Sequence, residues 1–193
     1  MTDKSNGYEG IAITFKNSRG RAVNGIGTPE VLRWAKSLSP GSVVLDLGCG
    51  TGVPVSKILV EEGMSVYGVD ASPTLVEAFR ENFPDRPVVC EAVEDSSFFG
   101  RKFDGIIAVG LMFLLPPDAQ EALVGKMARA LVPGGRMVFT APPQPIVWLD
   151  AMTDQESRSL GAAKYRGLVA AAGLSMIEEF EDAGENHYYN AVR

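Results

Sequence analysis

The sequence VVLDLGCGTG, from Val43 to Gly52, constrains the fold of this chain more than any other stretch. It is a short apolar strand pattern that ends in three glycines, at positions 48, 50 and 52, and a helical pattern follows directly. Glycine allows the backbone to turn sharply and lets a ligand approach it without meeting a Cβ atom. A strand, a glycine loop and a helix in this order predict an α/β fold with a ligand site at the end of its first strand.

The spacing of the loop residues indicates which class of ligand it holds. The pattern is Asp-x-Gly-x-Gly-x-Gly and begins at Asp46, whereas the dinucleotide fingerprint Gly-x-Gly-x-x-Gly would need its third glycine at Val53. A nicotinamide dehydrogenase is therefore disfavoured. We expect the loop to direct its backbone amides and the N-terminus of the next helix at the ligand.

Strand and helix patterns alternate along most of the chain. Apolar residues with helical spacing follow Thr28, Pro54 and Ser72. Because strand–helix units occur in succession, the sheet should be parallel with right-handed crossovers. The predicted strands are residues 43–47, 65–69, 88–90, 104–109, 136–140, 174–180 and 187–192. The predicted fold class is a doubly wound α/β sheet.

A second acidic residue lies where the second predicted strand ends. Asp70 follows Gly50 by 20 residues. At this distance, doubly wound folds place a carboxylate against ribose hydroxyls. The ligand of the glycine loop should therefore carry a ribose.

Two segments have no clear place in this alternation. Residues 1–27 are rich in glycine and polar residues, and their pattern places no regular element there. They form either a flexible leader or a flap that closes over the ligand, with Tyr8 or Phe15 as its apolar contact. Residues 141–152 form a proline-rich connection, after which the stretch Thr153–Glu156 matches a capping box for one helical turn.

Composition narrows the classes of function. The 193 residues have the size of one domain and carry a formal charge of -6, with no run of more than two lysines or arginines, so nucleic acid is a poor candidate partner. Cys49 and Cys90 lack metal-ligand spacing, so we expect no metal, and their small number indicates a reducing, cytoplasmic compartment. We expect no signal peptide and no membrane span. The oligomeric state stays open.

Asp46 with the glycine loop, Asp70 and the turn Leu131–Gly135 before the fifth strand resemble the class I S-adenosylmethionine-dependent methyltransferases. The resemblance implies a Rossmann-like, mostly parallel seven-stranded sheet whose last strand is antiparallel and inserted between the fifth and sixth. It also implies a catalytic domain at residues 28–193, preceded by residues 1–27 as a possible active-site flap. The implied cofactor is S-adenosylmethionine, and its product is S-adenosylhomocysteine.

The same resemblance implies roles for particular residues. The methionine part of the cofactor would be held by Asp46, Gly48, Cys49, Gly50 and Gly52. Asp70 would accept hydrogen bonds from both ribose hydroxyls, with Ala71 beside the adenine. The adenine edge would be contacted by Glu91, Ala92 and Val93. Glu94 is a rival to Glu91, because the register of this segment is open.

Motifs that the chain lacks narrow the choice of methyl acceptor. The exit of the fourth strand, residues 109–114, has neither the Asn-Pro-Pro-aromatic motif of amino-methylating nucleic-acid enzymes nor a Pro-Cys nucleophile, and it has no acidic cluster for a divalent metal. A small-molecule acceptor, methylated by direct in-line displacement, is therefore the main expectation. Two alternatives stay open: a methyltransferase acting on a protein or tRNA, and a cofactor-binding protein without turnover, since no catalytic base is recognisable.

The acceptor pocket should lie at the carboxyl ends of the strands, where residues 110–116, 141–152 and 181–187 converge. The candidates for its lining are Met112, Phe113, Trp148, Glu185, Asn186 and Tyr188. Tyr8 and His187, which is the only histidine, are the candidates for catalysis. His187 either takes a proton from the acceptor or only fixes the hairpin turn.

Overall fold

The computed structural model of the chain describes residues 4–18, 25 and 27–193. The part of the predicted flap at residues 1–3, 19–24 and 26 lies outside the described residues. The α-helices are α1 Ala12–Asn17, α2 Thr28–Ala35, α3 Val55–Glu61, α4 Pro73–Asn82, α5 Pro117–Ala130 and α6 Ala162–Ala171. The strands are β1 Val43–Leu47, β2 Ser65–Asp70, β3 Val88–Cys90, β4 Phe103–Ala108, β5 Leu131–Thr140, β6 Pro145–Leu149, β7 Glu156–Leu160, β8 Ser175–Glu181 and β9 His187–Val192.

Seven strands form one sheet in the order β3-β2-β1-β4-β5-β9-β8. Strands β1 to β5 pair in parallel, and β9 pairs antiparallel with both β5 and β8. The predicted sheet is confirmed. Its antiparallel last strand is β9, which lies between the fifth and sixth predicted strands, here β5 and β8. Because the strand order reverses between β1 and β4, their following loops flank the crevice where doubly wound folds bind ligands.

Helices cover both faces of this sheet. On one face, Trp34 of α2 and Leu59 of α3 are buried in one cluster with strand residues that include Val44 and Val66. On the other face, α5 and α6 contribute to a cluster that includes Met127, Tyr165, Leu45 and Ile106. Val44 and Leu45 thus point to opposite faces, as the two-residue period of a strand requires. Burial on both faces explains why the central strands are continuous apolar runs.

The N-terminal segment has more structure than its sequence predicts. A 3-10 turn at Glu9–Ile11 leads into α1, and neither element could be placed from the sequence. The segment packs on the domain, and Lys16 Nζ lies 2.6 Å from a carboxylate oxygen of Glu81 on α4. A helix of six residues spans fewer than two turns, which is too short for a periodic pattern to stand out.

A second difference lies between β5 and α6. Strands β6 and β7 pair antiparallel as a separate two-stranded sheet, so the predicted helical turn at Thr153–Glu156 is wrong. The carboxylate of Asp150 accepts hydrogen bonds from the amides of Met152 and Thr153, at 2.9 and 3.0 Å. This local cap satisfies the backbone of the hairpin turn, and it overrides the helix signal of the capping box.

The turn sequence Leu131–Gly135 lies inside β5 instead of preceding it. The pairing of β5 with β4 shifts register between Phe103 and Gly105. The extra residues are therefore accommodated as an irregularity of the strand, where Gly134 takes a positive φ of 78°.

Within residues 4–18 and 27–193, no helix has the length and apolar character needed to cross a membrane. Within the same ranges, no three His, Cys, Asp or Glu side chains are grouped as a metal site. Both cysteines are free thiols, and Cys49 is buried whereas Cys90 is exposed.

Candidate functional site

A cavity of about 550 Å³ lies at the carboxyl ends of the parallel strands. Its lining comes from the loops after β1 to β5, from the turn before β9, and from the N-terminal residues 4–18, which we call the lid. Its volume falls within the range of small-molecule sites, about 300–1,000 Å³. The cavity therefore lies at the sheet edge where the sequence places the ligand.

The glycine loop turns the chain from β1 towards α3. Gly52 has φ 80°, and a Cβ atom there would overlap the ring of Phe83 and lie 2.9 Å from the ring of Phe79. Only glycine fits this position, because both its backbone conformation and its contact with α4 exclude a side chain. Gly52 thus anchors the loop from behind and is absent from the cavity lining. The loop residues that do line the cavity are Asp46, Gly48, Cys49 and Gly50.

The amides of this loop are used within the protein. The bonds are Gly48 N to Val69 O at 2.8 Å, Cys49 N to Val69 O at 3.2 Å, Gly50 N to Asp70 Oδ2 at 2.8 Å, and Gly52 N to Cys49 O at 2.8 Å. The expectation that these four amides point at a ligand is therefore wrong. Two carboxylates, Asp46 and Asp70, line the cavity at the loop instead. This arrangement suits a cationic group and disfavours a pyrophosphate.

Asp46 is a buried acid, with 2% of its surface exposed. Its Oδ2 accepts a hydrogen bond from Ser56 Oγ of α3 at 2.6 Å. Burial raises the pKa of Asp46 to about 7, the hydrogen bond from Ser56 opposes this change, and the charge of Asp70 adds to it. A positive charge in the cavity would favour the ionised form, so ligand charge and Asp46 ionisation are coupled.

Asp70 joins the glycine loop to the start of α4. Its Oδ2 accepts from the amide of Gly50 and its Oδ1 from the amide of Ser72, both at 2.8 Å. Burial raises the pKa of Asp70, these amides oppose the change, and the nearby charge of Glu9 adds to it. Asp70 and Ala71 both line the cavity. The carboxylate is therefore held rigidly while its remaining lone pairs are available to a hydroxyl group.

The segment after β3 reaches the cavity later than the sequence indicates. Val93 and Glu94 line it, whereas Glu91 is exposed and Ala92 is buried outside the lining. Glu94 Oε2 is buried and has no hydrogen-bond partner among the described residues, which indicates a ligand with a donor. Lys126 Nζ donates to the carbonyls of Val93 and Glu94 at 2.7 and 3.0 Å, and burial lowers the Lys126 pKa.

The opposite lining, which we call the aromatic wall, consists of Tyr8, Phe113, Thr140, Asp150, Asn186 and Tyr188. Phe113 packs against Trp148 of β6, with ring centroids 5.5 Å apart and planes inclined by 47°. Trp148 supports Phe113 from outside the cavity and does not line it. Met112 is fully buried in the apolar core and does not line the cavity either.

Tyr8 connects the lid to the aromatic wall. Its hydroxyl donates to Asp150 Oδ2 at 3.4 Å. Its ring packs edge-on against Phe15, with centroids 5.7 Å apart. The lid therefore closes over the cavity with aromatic side chains and reaches the β6–β7 hairpin.

The cavity is also lined by Asn186, in the turn before β9, and by Tyr188, in β9 itself, but not by Glu185 or His187. The hydroxyl of Tyr188 donates to Asp182 Oδ2 at 3.0 Å, and Asn186 Nδ2 donates to the same oxygen at 2.9 Å. Burial favours the neutral form of Asp182, but hydrogen bonds from Asn186, Gly184 and Tyr188 outweigh it and hold its pKa below the ordinary value. Glu185 is exposed and absent from the lining.

His187 faces away from the cavity. Its Nε2 lies 3.0 Å from Glu179 and its Nδ1 lies 3.2 Å from Glu181, both on the neighbouring β8. Successive residues of a strand point to opposite faces of the sheet, so His187 shares a face with Tyr189 and not with Tyr188. The structure therefore does not bring His187 together with the other predicted site residues.

Several lining residues were not singled out from the sequence: Ser5, Asn6, Val53, Leu75, Leu111, Leu115, Thr140 and Asp150. Leu111 and Leu115 belong to an apolar run that looks like any buried segment. Asp150 had a usable signal, because it is the one acidic residue in the proline-rich connection 141–152 that was predicted to lie on the rim. A lone carboxylate on such a segment is a candidate for a site.

Comparison with known proteins adds sequence and structural relatives. A family model described as a methyltransferase domain matches residues 44–135. The chain is 41% identical over 113 residues to a cypemycin N-terminal methyltransferase from Streptomyces, covering 54% of this chain and 44% of that protein. It is 31% identical over 135 residues to the human probable tRNA methyltransferase 9B, covering 69% of this chain and 28% of that protein.

A similar fold occurs in the magnesium protoporphyrin IX methyltransferase of Synechocystis, solved with bound S-adenosylmethionine. The TM-score is 0.72 at 20% identity, over 100% of this chain and 98% of that chain. The first five curated relatives are matched over only 27% to 53% of their own length.

Proposed function

Since the chain belongs to the class I S-adenosylmethionine-dependent methyltransferases, we propose that it transfers a methyl group from S-adenosylmethionine to a small-molecule acceptor by in-line displacement. One observation carries the proposal: the loop amides are engaged internally while Asp46 and Asp70 line the cavity. A cofactor with a sulfonium, an ammonium and a ribose matches this wall in charge and in hydrogen bonding.

We call the part of the lining opposite the aromatic wall the glycine-loop wall; it consists of Asp46, Gly48, Cys49, Gly50, Asp70 and Ala71. Together with Glu94 beside it, this wall fits the cofactor part by part. Asp46 and the loop would hold the cationic methionine portion, and Asp70 would accept from the ribose hydroxyls. Glu94 Oε2, buried and without a partner among the described residues, fits the exocyclic amine of adenine. We assign this contact to Glu94 in preference to Glu91, whose side chain is exposed.

When bound, S-adenosylmethionine supplies a methyl group that is already activated by the positive sulfur. The protein then has to orient the acceptor and exclude water. The lid serves the second purpose, because Tyr8 and Phe15 cover the cavity. Tyr8 with Asp150 stands on the aromatic wall as the pair best positioned to receive a proton, if the acceptor must lose one.

The lining also limits the charge of the acceptor. Among the described residues, the acidic and basic side chains of the lining are four carboxylates, Asp46, Asp70, Glu94 and Asp150, and one ammonium, that of Lys4. Lys4 Nζ is paired with Asp95 at 2.6 Å. An acceptor with a carboxylate or phosphate would meet repulsion here, whereas a neutral molecule or an amine would not.

A macromolecular acceptor is the second candidate, favoured by the relatives named for tRNA and for a peptide N-terminus. The lid argues against tRNA, because it covers the cavity, and so does the net charge of -6. A peptide N-terminus is an amine and fits the lining charge. We further propose a reducing, cytoplasmic compartment, which the two free thiols support.

Isothermal titration tests the cofactor half of the proposal. S-adenosylmethionine and S-adenosylhomocysteine should bind with one site per chain, and NADH should give no heat. Absence of binding at millimolar S-adenosylmethionine would contradict the proposal.

Product release across a library of amines, phenols and carboxylates tests the acceptor half. In parallel, labelled methyl groups should pass to the small-molecule fraction of a lysate. Label in the protein or tRNA fraction would favour the second candidate, and absence of any transfer would favour a binding protein without turnover.

A further inference from the structure

We propose that the lid completes the cofactor site: Asn6 donates a side-chain hydrogen bond to the adenosine portion of the cofactor, and Glu9 is the positioning residue that holds Asn6 there. This inference rests on the proposed cofactor. It extends the site to residues that lie outside the recognisable motifs of the sequence.

The first observation is an unpaired donor. Asn6 lines the cavity, and its Nδ2 atom is buried with no hydrogen-bond partner in the part of the chain that the structure describes. Buried polar groups in native proteins are nearly always paired, so an exception that faces a cavity indicates a ligand with an acceptor. Glu94 Oε2 is the matching unpaired acceptor in the same cavity. Adenosine offers both a donor, its exocyclic amine, and acceptors, its ring nitrogens.

The second observation concerns the backbone that carries Asn6. Asn6 and Gly7 have φ values of 52° and 83°, and the amide of Tyr8 donates to the carbonyl of Ser5 at 3.1 Å. Positive φ at both central residues is the mark of a type I′ turn, for which Asn-Gly is the preferred sequence. The turn is therefore a defined structure that fixes where the Asn6 side chain emerges.

The third observation is the position of the anchors on either side of this turn. Before it, Lys4 pairs with Asp95, the neighbour of Glu94. After it, Glu9 reaches the start of α4 next to Asp70 and Ala71. These two anchors flank the residues that we assign to the adenosine portion. Because the turn lies between these two anchors, we place the Asn6 side chain at that portion of the cavity, with Gly7 of the same turn against Thr153 and Gln155.

Glu9 forms the stronger of the two anchors. Its carboxylate accepts from the hydroxyl of Ser72, from the Thr74 hydroxyl at 2.7 Å and from the Thr74 amide at 3.2 Å. A carboxylate at a helix N-terminus is also favoured by the helix dipole. Ser72 donates its amide to Asp70, so Glu9 connects the lid to the ribose-binding carboxylate through one residue.

The turn dictates the choice of variants. Asn6→Gly removes the side chain and keeps a residue that tolerates positive φ. Asn6→Asp keeps the shape but replaces the donor by an acceptor. Lys16→Gln is the matched control, because it alters a lid residue whose partner Glu81 lies on the exposed side of α4. Isothermal titration with S-adenosylhomocysteine and with 5′-methylthioadenosine, which lacks the amino acid, supplies the readout.

We expect Asn6→Gly to raise the Kd of both ligands by about tenfold, Asn6→Asp by at least as much, and Lys16→Gln to stay within about twofold. Equal losses for both ligands locate the contact on the adenosine portion. A folded Asn6→Gly variant with wild-type Kd values, or a change confined to the acceptor KM, would overturn the proposal. Failure of the wild-type protein to bind either ligand would instead overturn the proposed function.

A double-mutant cycle tests the role of Glu9. If Glu9 acts by holding Asn6, Glu9→Ala should raise the Kd in the wild-type background and have a much smaller effect in the Asn6→Gly background. Additive effects in the two backgrounds would show that Glu9 only stabilises the fold. Amide hydrogen exchange of residues 4–18 adds a direct measure, because S-adenosylhomocysteine should protect them in the wild type and less so in Glu9→Ala.

Discussion

The two walls of the cavity are assembled from very different distances along the chain. On the glycine-loop wall, the bond that braces the site joins Gly50 to Asp70, 20 residues apart. On the aromatic wall, Tyr8 and Asp150 are 142 residues apart. The first wall is a product of one strand–helix–strand unit, whereas the second exists only after the whole chain has folded.

This difference explains why the cofactor can be inferred from sequence and the acceptor cannot. A local unit recurs with the same spacing, so its chemistry is written in a short motif. The aromatic wall takes Tyr8 from the lid, Asp150 from the β6–β7 hairpin and Asn186 from the turn before β9, and it has no such spacing. Substitutions should therefore separate the walls: changes on the first should alter cofactor binding with any acceptor, and changes on the second should alter the acceptor alone.

The largest expected effect is at Asp70. An asparagine cannot accept from both Gly50 and Ser72, because its amide group would face one of their amides as a second donor. Asp70→Asn should thus disturb the loop and remove a ribose partner together. We expect the Kd of S-adenosylhomocysteine to rise by about 100-fold or more, since bonds to charged groups are worth about 1.5–3 kcal/mol each.

Asp104→Asn provides the matched control for this substitution. Asp104 Oδ2 also accepts from a backbone amide, that of Val43 at 2.8 Å, but at the amino ends of the strands, away from the cavity. Its Kd should stay within about twofold of the wild type, because no ligand contact changes. Equal losses in both variants would show that the Asp70 effect is a loss of folding.

The next effect concerns Asp46. Its replacement by asparagine should raise the stability of the fold but weaken binding of the cofactor. The unfolded carboxyl titrates near its ordinary value of about 4, whereas burial raises the folded pKa to about 7. The protonated form therefore stabilises the fold, and this contribution is fully present below about pH 4 and lost as the pH rises through about 7. Asp46→Asn is neutral at every pH, so it should gain stability relative to the wild type as the pH rises.

Thermal unfolding from pH 5 to pH 8 measures this gain. We expect the Tm of Asp46→Asn to exceed that of the wild type by about 5–10 °C at pH 8 and by far less at pH 5. Binding of S-adenosylmethionine should weaken at pH 8, because a charge partner is lost. A Tm difference that does not depend on pH would contradict the assignment of a raised pKa.

Most of the fold could be predicted because its signals are local. The strands of the parallel sheet are continuous apolar runs, and Gly52 is required by its φ of 80° and by its contact with Phe79. Asp70 was found by its distance from the glycines alone. Each of these features depends on a few neighbouring residues, so one sequence is enough to reveal it.

The remaining features depend on competition between local signals or on tertiary contacts. Thr153–Glu156 satisfies a capping box, yet the carboxylate of Asp150 accepts from the Thr153 amide, which the box would use, and from the Met152 amide, and so forms a hairpin turn. The partners of the Gly48 and Cys49 amides could not be assigned, because their acceptor, the carbonyl of Val69, belongs to another strand. The placement of His187 was available from the two-residue period of β9, which separates it from Tyr188.

A smaller effect is expected on the aromatic wall, at Phe113. Phe113→Ala removes the ring that lines the cavity and leaves Trp148 without its partner. The KM for the acceptor should rise by about tenfold, as for loss of a buried aromatic contact, while the Kd of S-adenosylhomocysteine stays within about threefold. Steady-state kinetics and titration measure the two quantities. A parallel loss of cofactor affinity would mean that the walls are not separable at this residue.

The smallest effect is expected at His187, although it is adjacent to a lining residue. His187→Gln keeps one hydrogen-bonding group towards Glu179 on β8 and loses the contact with the exposed carboxylate of Glu181, which is worth about 0–1 kcal/mol. Turnover should stay within about twofold and its pH profile should not change, because the side chain does not reach the cavity. Tyr188→Phe, one residue further on the opposite face, is the comparison: it removes a hydroxyl bonded to Asp182 and should lower Tm by several degrees. If His187→Gln instead lost about 100-fold in turnover with a flattened pH profile, His187 would be the catalytic base. The conclusion that His187 and Tyr188 point to opposite faces of the sheet, with only Tyr188 towards the cavity, would then be wrong.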